Sequence, residues 1–114
     1  MIVRVFTGRV AAHREGDFNA SLRSRLLEIA DEPGNLYVKF ARKIEGDRER
    51  VMLITEWETA DDLYAWTGGD VVRPRSVDLE LLDEWKVEHW EALDPAPLDP
   101  TMGQHEDGKA IEAG

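Results

Sequence analysis

The chain contains no cysteine. Disulfides, thiolate metal sites, iron–sulfur clusters and cysteine nucleophiles are thereby excluded. No run of residues approaches the roughly 18 apolar positions that a membrane-spanning helix requires. The opening MIVRVFTGRV alternates in polarity and lacks the apolar block of a secretory signal, so a cytoplasmic location is expected. Basic charge is scarce: 14 Lys and Arg stand against 24 Asp and Glu, a net charge of −10. Beyond Leu93 lie five of the acids and one of the lysines, which leaves 19 acids against 13 bases, or −6, in the rest. Such a surface repels phosphate backbones, so neither nucleic acid nor an anionic membrane is an expected partner. Phosphate-loop, dinucleotide and nucleophile-elbow patterns are also missing; Gly68-Gly69 has no lysine after it. Glu88-His89 and His105-Glu106 are adjacent pairs that would not converge on one ion, so no metal is expected.

What is present organises around VMLITEWETADDLYAW, residues 51–66. Val51, Leu53, Thr55 and Trp57 alternate with Met52, Ile54, Glu56 and Glu58, the period of a strand. Both sets begin apolar, which predicts cover on both faces. Thr59 then reads as an N-cap with Asp62 three residues on, Leu63 and Trp66 share a helical face, and Gly68-Gly69 ends the helix. Upstream, residues 2–10 read as a strand, with Ile2, Arg4, Phe6 and Gly8 opposite Val3, Val5, Thr7 and Arg9. The spacing of Phe18, Leu22, Leu26 and Ile29 predicts one helix over about 17–30, capped by Asp17. A strand over 36–44 and a turn at Glu45-Gly46-Asp47-Arg48 complete the first half. After the second helix, Asp70 reads as a cap, and a short turn over 77–82 precedes a last strand over 84–93.

The order β-α-β-β-α-β closes most simply as a four-stranded antiparallel sheet with two helices on one face, the α+β ferredoxin-like arrangement. The domain is expected to span 1–93. Residues 94–114, with three prolines and almost no periodicity, read as an extended arm, and whether it packs over a partner subunit is left open by the sequence. Two helices cover one sheet face only, yet strand three is apolar on both and Trp85 and Trp90 oppose each other on the last. Self-association through the bare face, as a homodimer, is expected.

ITEWETADDLYAW between a hairpin and a broken helical segment resembles the antibiotic biosynthesis monooxygenase domains of the dimeric α/β-barrel superfamily. MIVRVFTGRV and WKVEHWEAL fit the same plan, and the resemblance covers about residues 1–93. It implies a dimeric barrel and two known activities. One is cofactor-free oxygenation of polycyclic aromatics. The other is haem degradation by an asparagine, a tryptophan and an iron-binding histidine. Those three positions fall on Thr7, Trp66 and the neighbourhood of Ser76. A hydroxyl does not replace imidazole on haem iron, so standard haem degradation is not implied; His13 or His89 would have to serve instead.

The leading expectation is therefore a monooxygenase-like enzyme without cofactor, acting on a flat aromatic or quinol-like molecule. Its pocket would lie between sheet and helices, lined by Val3, Val5, Thr7, Tyr37, Leu63, Trp66 and Arg75. Trp66, Arg73 and His89 are the catalytic candidates: a stacking surface, an oxyanion partner and a base. Tyr64 is a further hydrogen-bond donor. Each also has a plain structural reading, Trp66 as core, Arg73-Pro74-Arg75 as a solvated loop, His89 as a hydrogen-bonded strand residue. Trp57 reads as a sheet-end anchor. The alternative is a small-molecule-binding or dimerisation domain without chemistry, because no matched acid–base pair is visible.

Overall fold

The computed structural model describes residues 1–93; the arm expected over 94–114 lies outside the described residues. The chain runs β1 (Ile2–Val10), α1 (Glu15–Arg23), α2 (Leu26–Ala30), β2 (Asn35–Glu45), β3 (Arg48–Trp57), α3 (Ala60–Thr67), a 3₁₀ turn (Leu79–Leu81) and β4 (Leu82–Glu91). The four strands form one antiparallel sheet in the order β2-β3-β1-β4. This is the α+β ferredoxin-like fold. No helix among the described residues is long and apolar enough to cross a membrane.

The first helix differs from the expectation. Its apolar stripe is continuous, with Phe18, Leu22 and Ile29 buried, but the helix breaks at Ser24-Arg25. There the Arg25 amide bonds Leu22 O at 2.9 Å, a tight i+3 link, and the Ser24 hydroxyl bonds Ser21 O at 2.7 Å. These local bonds replace helical ones. Nor does Asp17 cap α1. The helix begins earlier, after Arg14, and Asp17 pairs with that residue's side chain at 2.9 Å from within the first turn.

The second helix begins and ends where expected. Thr59 Oγ1 accepts the Asp62 amide at 3.1 Å, and Gly68 closes α3 at φ +71°, a left-handed value glycine tolerates. The turn before β2 is tied to that start. Gly34, at φ +82°, accepts the Glu58 amide at 2.8 Å and lies so close that a methyl group there would overlap the Asp62 carboxylate.

Strand register decides which side chains face the helices. Arg4 aligns with Thr55 and His89, Phe6 with Leu53 and Val87, and Gly8 with Val51 and Trp85. This set meets α1, α2 and α3 and supplies the core with Trp57, Leu63, Trp66 and Leu81. The alternate set, including Val3, Val5, Met52, Ile54, Tyr37 and Trp90, forms the open face. Trp90 there is 60% exposed.

Candidate active site

Among the described residues, two charged side chains are buried on the helix-covered face, Arg4 and Glu49, each 2% exposed. Glu49 is compensated by its own neighbours: Arg42 at 3.0 Å and the Asn19 amide at 2.6 Å. Arg4 is not bonded to a carboxylate among the described residues. Its guanidinium donates to Val71 O at 3.1 Å, to Arg73 O at 2.6 Å and to Nε2 of His89 at 2.9 Å. Its carbon stands 5.7 Å from the ring centre of Trp66, a cation–π distance. Trp66 in turn stacks on Trp57 at 4.9 Å, and the Trp57 indole donates to Thr55 Oγ1 at 3.0 Å.

One cation thus joins four parts of the fold: β1, α3, the loop after α3 and β4. Burial lowers the Arg4 pKa to about 10, with the charge of Asp70 pulling the other way. Asp70 also accepts the amides of Val72 and Arg73, which shapes the loop. The His89 pKa is lowered, by burial first and by the Arg4 charge second, so the imidazole is neutral at neutral pH. An arginine has no acceptor, so the Arg4 N–H donates and Nε2 carries the lone pair. The ring proton is then on Nδ1. A neutral imidazole against a guanidinium is an acid–base pair of the kind enolate chemistry needs.

The structure brings together Trp66, His89 and the backbone of Arg73. It separates other proposed pocket residues from them. Val3, Val5, Thr7 and Tyr37 are on the open face, with the sheet between them and Trp66. Leu63 is buried in the core. The Arg73 and Arg75 side chains are exposed, and Arg73 meets Arg4 through its carbonyl, not as a second cation. Thr7, Trp66 and Ser76 do not assemble into a haem-degrading constellation: Thr7 points away from Trp66, and Ser76 is a loop hydroxyl at φ +67°. His13 is exposed in the first loop. Among the described residues, no three His, Asp or Glu side chains gather as metal ligands would.

Concave surface exists on the other side. A shallow hollow of about 270 Å³ is lined by Thr7, Ala41, Lys43, Arg50 and Met52, and a second of about 280 Å³ by Thr7, Arg50, Glu84 and Lys86. Both open on the bare sheet face. Arg4 is the site residue the sequence reading passed over. Its signal was there: a charge in the apolar set Ile2, Arg4, Phe6, Gly8.

The sequence profile of the antibiotic biosynthesis monooxygenase family matches residues 1–73. No curated protein matches the chain. Among solved structures, MhuD from Mycobacterium tuberculosis, a heme-degrader seen with two hemes in its active site, is 19% identical. It aligns at a TM-score of 0.62 over 83% of this chain and 98% of its own. SnoaB from Streptomyces nogalater, a cofactor-independent oxygenase seen in a mutant form, is 18% identical. Its TM-score is 0.60, over 85% of this chain and 97% of its own. A protein from Nitrosomonas europaea assigned to the same monooxygenases is 17% identical at a TM-score of 0.65, over 82% of this chain and 100% of its own. These likenesses establish a shared fold.

Proposed function

Since the chain belongs to the antibiotic biosynthesis monooxygenase family, we propose that it oxygenates a flat, electron-rich aromatic or quinol-like compound without a cofactor. The carrying observation is the 2.9 Å contact between neutral His89 and a buried guanidinium that bonds no described carboxylate. An anthrone-type methylene next to a carbonyl gives its proton to Nε2 of His89. As it does so, the Arg4 N–H turns from that nitrogen to the oxyanion that forms. The carbanion passes one electron to dioxygen, and the two radicals join as a C–O–O bond. Protonation of the outer oxygen and loss of water, which takes the second C–H hydrogen, leaves a carbonyl. Methylene and dioxygen become carbonyl and water, one oxygen atom in each. Trp66 supplies the aromatic wall behind Arg4. SnoaB, with the same fold, is a cofactor-independent oxygenase, which supports the choice of chemistry.

Oxygen uptake with anthrone tests this reading. We expect His89→Gln and Trp66→Ala to lose at least tenfold of the rate. A His89→Gln enzyme as fast as the unaltered one would refute the assigned base. The protein is expected to work as a homodimer with the open sheet faces together, which would bury Val3, Val5, Ile54 and Trp90. Light scattering should give twice the 13.0 kDa chain mass. A mass of one chain at micromolar concentration would count against it. A second reading, small-molecule binding or dimerisation without chemistry, is favoured by one observation: Trp66 is 5% exposed and already stacked on Trp57. Ligand binding without oxygen uptake would select it.

A further inference from the structure

The cation of this site is covered by its own chain. The Val71 and Arg73 carbonyls occupy Arg4, and the segment that carries them, residues 70–75, lies between two points of unusual backbone. At one end, Gly68 and Gly69 stand at φ +71° and +92°; at the other, Ser76 stands at +67°. Carbonyl oxygens hold only partial charge. A charged oxygen makes a shorter and stronger bond to guanidinium, commonly in bidentate form. Among the described residues this buried cation is held by carbonyls, a neutral imidazole and an aromatic face, with Asp70 reaching it only through its field, and is therefore incompletely compensated.

Resting on the oxygenase reading above, we propose that the ligand of this site presents a negatively charged oxygen that takes the place of the two carbonyls on Arg4. Residues 70–75 thereby act as a lid released by ligand charge. The ligand class is a planar organic oxyanion, a carboxylate or an ionised phenol or enol. The bond from Arg4 to Nε2 of His89 uses a guanidinium hydrogen other than those given to the two carbonyls, so this exchange leaves it in place. The lid therefore opens first, and the base is released in the deprotonation step that follows. The charged groups around Arg4 fit this order. Asp70 on the loop is the acid whose field reaches it, and His89 on β4 is neutral. From α3 it meets the ring of Trp66, which carries no charge.

A matched pair of probes tests the proposal, 2-naphthoate and its uncharged carboxamide, titrated into the full chain. We expect the acid to bind at least tenfold more tightly. On its binding, amide hydrogen exchange at Val72, Arg73 and Arg75 should accelerate while exchange in β1 and β3 stays unchanged. Arg4→Lys should keep a preference for the acid, and a folded Arg4→Met should lose it. Equal binding of acid and amide, binding of neither, or slower exchange in the loop would overturn the inference. So would a preference unchanged in Arg4→Met; if that variant does not fold, the exchange result on the unaltered protein decides alone. Anthrone oxygenation without preference for naphthoate would sink the lid and leave the oxygenase reading standing. Preference for naphthoate with no oxygen uptake from any anthrone would do the reverse.

Discussion

Two buried charges at opposite ends of one sheet face have been settled in opposite ways. Glu49 is neutralised within the fold: an arginine from the neighbouring strand and an amide from α1 satisfy its two oxygens. Arg4 receives carbonyls, an imidazole and an aromatic face, and no carboxylate bonds it among the described residues. A charge that a protein neutralises itself is part of its architecture. A charge left with weak partners is available to something else.

The sharpest test removes what the Arg4 end is built upon. Trp57→Ala should cost about 3–5 kcal/mol in urea unfolding, because a fully buried ring and its stacking on Trp66 are lost. Next comes Glu49→Ala, expected to cost about 2–3 kcal/mol. Its partner Arg42 is more than half exposed and can return to water, so the penalty stays at the lower end for a broken buried pair. Arg4→Met should change stability by no more than about 1 kcal/mol, since an apolar chain replaces a costly buried charge. A loss as large as that of Glu49→Ala would erase the contrast and make Arg4 structural. The smallest effect concerns pH. His89 has a lowered folded pKa, so protonating it opposes folding. Its contribution is complete above the unfolded value of about 6.5 and fades as pH falls through the lowered folded one. An NMR titration should show the His89 midpoint rise in Arg4→Met, because the neighbouring cation is gone.

Much of this contrast was written in the sequence, though not its meaning. Alternation in β1 and β3 sorted the side chains into two sets, and Thr59 and Gly68 bounded α3 by local bonding alone. Parity does not say which set faces the helices when both are apolar. For that reason the pattern alone allows Val3, Val5 and Thr7 a place beside Trp66, and cross-strand register puts them on the other side. The break at Ser24-Arg25 was hidden because the apolar stripe continues across it. The Arg4 site was illegible for a different reason. Its partners at Val71 and Arg73 are backbone carbonyls, which every residue type carries alike, and they lie 67 and 69 positions away.

The close fit of Gly34 against Asp62 bears on how the protein can be re-engineered. Replacing glycine by alanine removes freedom from the unfolded chain and commonly adds about 0.5 kcal/mol where the geometry allows. At Gly16, in the first turn of α1, nothing lies within 4 Å of the added carbon, and the exchange should strengthen the fold. At Gly34 the same exchange meets both a positive φ and a carboxylate already in place, so the two joints must be treated as different materials. A hardening campaign would begin at the first helix and leave the turn between α2 and β2 alone.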